Sequence, residues 1–275
     1  MYGRQLMLQS QDKDQPMTTA LITGASSGIG LELARICAAH GHNLILVARS
    51  GAKLHTLADE LAATYKITAR ALPADLNDSA APQAIADQLA ADRIAVDILI
   101  NNAGFGDYGP FAETDRAKIM EMVQVNVAAL TELTHRFLPG MVQRKSGRIM
   151  NVASTAAFQP GPLMAVYYAT KAYVLSFSDA IGEEVRSAGV TVTTLCPGPT
   201  RTGFQAGAAM EQSRLMRMGL MDVRAVAQAG YKGMIAGQTV VIPGPTNWLG
   251  AQLARFTPRR LTTRLMMEIQ GREGR

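Results

Sequence analysis

The sequence predicts an α/β fold, a doubly wound parallel sheet of about seven strands with helices on both faces. Three observations carry this. Short β-rich apolar runs alternate with longer helical stretches along the chain. The run Asn43–Ala48 (NLILVA) is apolar almost throughout, as expected of a strand buried on both sheet faces. A glycine-rich turn separates the first strand from the first helix.

The elements follow in order. A first strand covers 20–23, and a helix over 31–39 runs until Gly41 can stop it. A strand at 43–48 is followed by a helix at 52–65, a strand at 68–72 and a helix at 81–91. The segment 96–101 (VDILIN) gives a fourth strand. A long helix is predicted over 116–138 and a fifth strand over 148–152. Another helix runs from about 165 to 187, with Gly189 after it and a sixth strand at 190–195. The last strand is 240–242. No linker or repeat interrupts the alternation, so one domain over 17–245 fits, with a lead-in at 1–16 and an extension at 246–275.

Composition excludes several function classes. Apolar residues make up 48% of the chain and charged residues 18%, which is globular rather than disordered. The net charge is +5, but the basic residues are scattered and only the tail from Arg255 is visibly basic, which argues against nucleic acid. Cys37 and Cys196 lie in apolar segments and read as small buried side chains. His40, His42, His55 and His135 show no metal-ligand spacing. No apolar run reaches membrane-spanning length, and the polar start is not a signal peptide. Residues 1–16 read as a disordered lead-in, Met17 as an alternative start, and the cytoplasm as the default location.

Thr23-Gly24-Ala25-Ser26-Ser27-Gly28-Ile29-Gly30 sits between the first strand and the first helix. Gly24 permits a tight turn, Gly28 lets the backbone approach a pyrophosphate, and Gly30 allows close helix–strand packing. Free N–H groups and the helix dipole then hold the anion, as in a Rossmann-type dinucleotide site. The spacing is G-x-x-x-G-x-G. In this it resembles the cofactor turn of the short-chain dehydrogenase/reductase family, in its single-domain branch. The resemblance runs from about Thr19 to Pro243 and implies a seven-stranded sheet and a nicotinamide cofactor.

An acid at the end of the second strand, roughly 20 residues past the glycines, would bind a ribose 2′-OH and favour NAD. Here Ala48 vacates that place, and Arg49 can pair with a 2′-phosphate, so NADP(H) is expected. Ser26, Ser27 and Ser50 offer hydroxyl contacts. By the resemblance, Asp75 beside Leu76 contacts the adenine. Asn102, Ala103 and Gly104 of the run Asn101-Asn102-Ala103-Gly104 line the cofactor cleft.

Tyr167 and Lys171 stand at i, i+4 on one helix face, whereas Tyr168 would need a lysine where Ala172 stands. A free tyrosine titrates near ~10, and a nearby ammonium would stabilise the phenolate and bring it toward neutral pH. Ser154 precedes Tyr167 by thirteen positions, which matches the family's Ser–Tyr separation as YxxxK matches its motif. The resemblance implies that Ser154 hydrogen-bonds the substrate oxygen and Tyr167 is the acid/base. It further implies that Lys171 holds the nicotinamide ribose and that Asn126 positions a water beside the lysine. Thr155 is a lesser alternative to Ser154, one residue off. Pro197-Gly198-Pro199-Thr200 resembles the family's PG motif near the nicotinamide amide, with Thr200 and Thr202 as candidate contacts.

Met210, Met216, Met218 and Met221 within 204–221 suit either a flexible lid over an apolar substrate or a core-facing helix. With Phe105, Tyr108, Phe158 and Met164 near the cleft loops, a lipophilic carbonyl or alcohol is favoured over a polyol. The chain departs from the single-domain family pattern after Val241-Ile242-Pro243-Gly244, where a Gly-Gly element that helps form a tetramer is missing. Trp248, Leu249, Leu253 and Phe256 fall at helical spacing, and Arg259, Arg260, Leu261, Arg264, Leu265 and Ile269 follow a break at Pro258. The tail resembles a bacterial subgroup near hydroxysteroid and acyl-chain ketoreductases. Packing over the domain or onto a second subunit of a homo-oligomer, dimer or tetramer, is preferred to lying on an anionic membrane. Every assigned site residue precedes the tail, so the chemistry is expected to survive removal of residues after Pro258. A redox-silent NADP(H)-binding regulator is the other function class, since fold does not fix function.

Overall fold

A computed structural model describes residues 18–204, 208 and 219–271. The lead-in, Met17 and the methionines at 210, 216 and 218 lie outside the described residues. The sheet holds β1 (Thr19–Thr23), β2 (Asn43–Ala48), β3 (Ala69–Pro73), β4 (Ile98–Asn101), β5 (Gly147–Val152), β6 (Val190–Leu195) and β7 (Val240–Val241). All pairs are parallel, in the order β3-β2-β1-β4-β5-β6-β7. This is the doubly wound Rossmann-type sheet the alternation predicts.

Strand alternation divides the core into two layers. Ala20 and Ile22 of β1 point to one face, where they meet Leu33 and Cys37 of α1 (Gly28–Ala39) and Leu54 and Leu61 of α2 (Gly51–Tyr65). Val226 and Met234 of α7 (Val223–Ile235) join the same layer. Leu21 points the other way, into a layer with Ile85 and Leu89 of α3 (Ala81–Ala91), Leu133 of α5 (Leu130–Arg144) and Val185 of α6 (Ala165–Val185). Each fully buried Leu or Ile contributes about 1.5–3 kcal/mol relative to exposure, so both faces must stay covered. Cys37 and Cys196 are free and buried.

The helix expected over 116–138 differs from the observed one. It is α4 (Arg116–Val123), started by the Asp115 carboxylate accepting from the Ala117 N–H, then a π-helical stretch at Gln124–Ala129, then α5. α5 runs past Pro139 because that residue and His135, whose carbonyl loses its helical donor, are both exposed, while Leu133 and Met141 anchor the helix to the core. After β7 come α8 (Pro245–Phe256) and α9 (Arg259–Gln270), broken at Thr257 and Pro258. No helix among the described residues is long and apolar enough to cross a membrane.

Candidate active site

Strand order reverses on either side of β1, which opens a crevice at the carboxyl ends of β1 and β4. The segments after β1, β2, β3, β4, β5 and β6 all reach one cleft of about 1220 Å³. That volume exceeds an ordinary small-ligand pocket of roughly 300–1,000 Å³ and suits two ligands side by side.

The glycine turn forms one end. Gly24 and Gly28 have φ of +66° and +55°, a region that disfavours side chains. A Cβ on Gly30 would stand 2.3 Å from the Gly24 carbonyl oxygen, so only glycine lets α1 start this close to β1. Ser27 caps α1 in extended conformation without a side-chain hydrogen bond, and Ser26, Ser27, Gly28 and Ile29 line the cleft. The first-turn N–H groups are thus left for an anion. Thr23 ties this turn to the next strand, since its Oγ1 accepts from the N–H groups of Asn102 and Ala103, both at 3.0 Å. The Asn102 amide donates to the Thr23 carbonyl at 2.9 Å.

At the end of β2, Arg49 and Ser50 are exposed and line the cleft, and Arg49 makes no ion pair with another described residue. Lys53, one helical turn on, lines the same place. The sequence reading passed over this lysine, although its i, i+4 spacing from Arg49 was a usable signal. Asp75 accepts from the Asn77 N–H at 3.0 Å, and both residues and Leu76 line the adjoining wall.

The reacting corner gathers Ser154, Tyr167, Lys171 and Asn126. Ser154 follows the end of β5 by two residues and caps a short 3₁₀ turn, with its Oγ accepting from the Ala156 N–H at 3.1 Å and donating to the Pro197 carbonyl at 3.3 Å. Thr155 also lines the cleft, but inside that turn. Lys171 Nζ lies 5.8 Å from the centroid of the Tyr167 ring and donates to the Val152 carbonyl at 2.8 Å. Asn126 sits in the π-helical stretch, where its amide donates to the Phe105 carbonyl at 2.9 Å and to Thr170 Oγ1 at 3.1 Å. The missing Cβ of Gly104 would be 3.0 Å from Asn126 Oδ1 and 3.4 Å from Lys171 Nζ, so glycine lets the two polar groups approach the cleft floor.

Electrostatics correct one expectation. Burial pushes the Tyr167 phenol up to about 12, against the nearby Ser154 hydroxyl, which works the other way. Burial also pulls the Lys171 ammonium down to about 8, with Cys196 acting in the opposite direction. Desolvation outweighs the anticipated lowering of Tyr167 because the lysine approaches the ring face and gives its hydrogen bond to Val152.

Pro197, Gly198, Thr200 and Thr202 line the cleft across from Tyr167. Thr200 Oγ1 donates to the Gly198 carbonyl at 2.8 Å, and Thr202 Oγ1 accepts from the Phe204 N–H at 3.2 Å. A Cβ on Gly198 would meet the Asn247 amide at 2.4 Å, a packing partner with no signal in the local sequence. Of the four apolar residues expected at the pocket, Phe105 and Met164 line it. Tyr108 is buried behind the wall, and Phe158 packs instead against the cluster of Leu130, Ala153, Val174 and Cys196. The tail packs over the domain, one of the two placements expected for it, and there it reaches the cleft. Leu253 of α8 and Thr262, Leu265, Met266 and Ile269 of α9 form the far wall, so residues after Pro258 belong to the cleft.

Residues 18–213 match the short chain dehydrogenase family model, and the chain belongs to this family of oxidoreductases. The chain is similar to a very-long-chain 3-oxoacyl-CoA reductase of Phaeosphaeria nodorum, 40% identical over 179 residues, 64% of this chain and 52% of that protein. It is also similar to the inactive hydroxysteroid dehydrogenase-like protein 1 of Homo sapiens, 35% identical over 189 residues, 68% of this chain and 57% of that protein. The chain thus spans about half the length of the curated relatives it matches. A solved short-chain dehydrogenase from Sphingobium yanoikuyae in complex with NADPH is similar over 94% of this chain and 98% of its own, at 34% identity and TM-score 0.79.

Proposed function

We propose that the chain is an NADP(H)-dependent oxidoreductase that interconverts a lipophilic ketone or aldehyde and its alcohol. The observation that carries this is the placement of Ser154, Tyr167 and Lys171 on one cleft with the uncapped start of α1. The cleft fits a nicotinamide dinucleotide: Gly24 and Gly28 leave the cradle open, and Asn102, Ala103, Gly104, Asp75 and the Pro197–Thr202 segment line the rest. Arg49 and Lys53, with no acid at the end of β2, favour a 2′-phosphate, and the similar Sphingobium structure holds NADPH. When bound, the cofactor supplies or accepts hydride at the substrate carbon.

The chain's residues handle the oxygen. Ser154 and Tyr167 donate hydrogen bonds to the substrate carbonyl, and Tyr167, whose phenol is pushed up to about 12 by burial, gives its proton to the developing alkoxide. The Lys171 ammonium, charged below about 8, offsets the negative charge left on the phenolate. Asn126 holds the loop after β4 against this corner through Phe105. The apolar far wall favours an acyl-chain or steroid-like substrate over a polyol, in keeping with the long-chain reductase among the relatives.

The test is a screen of ketones and aldehydes of graded size with NADPH and NADH, read as cofactor oxidation. Turnover with NADPH and larger apolar ketones is expected. A redox-silent regulator is favoured by one observation, the inactive relative, and that reading wins if NADPH binds and nothing is reduced.

A further inference from the structure

We propose that Gln270, the last residue of α9, is a positioning residue that latches the C-terminal helix to the catalytic helix and so sets a preference for long or bulky carbonyl substrates. The inference rests on the reductase reading above and names which part of that cleft selects the substrate.

Gln270 is fully buried although it lies five residues from the end of the chain. Its side-chain amide donates to the phenol oxygen of Tyr168, and its main-chain carbonyl accepts from the phenol of Tyr108. Tyr168 is the immediate neighbour of the acid/base Tyr167, with the two rings edge to face at 6.1 Å. Tyr108 stands on the loop that follows β4, whose Gly109 N–H donates to the Leu163 carbonyl at 2.8 Å just before α6. One glutamine therefore ties α9 to two segments beside the chemistry, the loop after β4 and α6.

The rest of α9 shows what the latch holds in place. Thr262, Met266 and Gln270 are its buried residues, spaced four apart along one face. Gln159, on the segment after Ser154, donates to Met266 Sδ at 3.2 Å. Met266 and Tyr168 belong to one apolar cluster with Met164, and Ile269, Phe204 and Tyr167 pack against it. The opposite face is open, with Leu261 more than half exposed. The helix is thus fixed along one stripe, and the directional hydrogen bond from the buried Gln270 NH2 group to Tyr168 supplies a geometric constraint that apolar contact alone lacks. A small ketone at Ser154 and Tyr167 does not need the far wall formed by Met266 and Ile269. A long one does.

The experiment measures kcat/KM with NADPH for the 2-ketone series from 2-butanone to 2-tridecanone, in the full chain and in Gln270→Met. The methionine keeps the packed volume and removes the amide donor. The parent is expected to improve with chain length. In Gln270→Met, the long end should lose about tenfold or more, mostly through KM, while the short end stays within about twofold and NADPH affinity is unchanged. Tyr168→Phe removes the acceptor oxygen and keeps the ring, so it should flatten the same profile and add little to Gln270→Met in the double variant. That second route keeps the test open if Gln270→Met does not fold. An equal loss at every chain length, or none, overturns the latch. A parent that reduces no ketone of the series overturns the reductase reading instead.

Discussion

Burial pushes the Tyr167 phenol up to about 12, so in the proposed reduction it acts as the acid. Tyr167→Phe removes one oxygen and should lower turnover by about 10²–10⁴, the effect of losing a positioned acid/base, with NADPH affinity unchanged. Steady-state NADPH oxidation beside a fluorescence titration checks both halves. Lys171 makes a pH prediction. Its ammonium pKa is pulled down to about 8, so the charged form is present below that pH and lost above it. kcat/KM for reduction should therefore fall as pH rises through about 8, and a profile flat to pH 9.5 contradicts the assigned role. At the far end of the cleft, Arg49→Ala should raise the NADPH dissociation constant by about tenfold or more, as loss of a charged hydrogen bond does, and leave NADH nearly unaffected. Equal losses for both cofactors in parallel titrations would remove the 2′-phosphate assignment. That these residues share one cleft was readable because the spacing logic is local: i, i+4 spacing puts Tyr167, and not Tyr168, on the face of Lys171 whatever surrounds the helix.

The glycine turn and the helix carrying Asn126 show where local reading succeeds and stops. Gly30 was expected to allow close packing, and the 2.3 Å approach of its absent Cβ to the Gly24 carbonyl gives the reason. Gly30→Ala should destabilise the protein by about 1–3 kcal/mol through forced backbone movement and weaken NADPH binding. Gly250→Ala, where nothing lies within 4 Å, is the control and should leave the melting temperature the same or slightly higher. Thermal melts of the two variants side by side decide it. The π-helical stretch was not legible. Gln124–Ala129 has the composition of ordinary helix, and the partners of Asn126 at Phe105 and Thr170 are set by tertiary packing. Wide helical turns of this kind recur at functional sites, which fits an asparagine placed beside the lysine.

At the scale of the whole molecule, the cleft is built from both ends of the chain. Its glycine turn lies at residues 24–30 and its far wall at 253–269, although the sheet that supports everything is complete by Val241. This explains what the sequence withheld about the tail. The stripe of Thr262, Met266 and Gln270 marks a face of α9 that will be covered, but periodicity does not say by what. The partner is fixed by the phenols of Tyr108 and Tyr168, far away in sequence. The two core layers, by contrast, draw on residues 20–241 and do not need α9. A chain ending at Pro258 should therefore still fold and bind NADPH, because the glycine turn, Arg49 and Lys171 rest on the sheet. It should lose most activity toward long-chain ketones, since Met266 and Ile269 leave the wall and water reaches Tyr168. NADPH titration, a thermal melt and turnover of 2-tridecanone on the same preparation measure the three consequences together. Retained long-chain turnover in a folded, NADPH-binding truncation would show that α9 is only a cover.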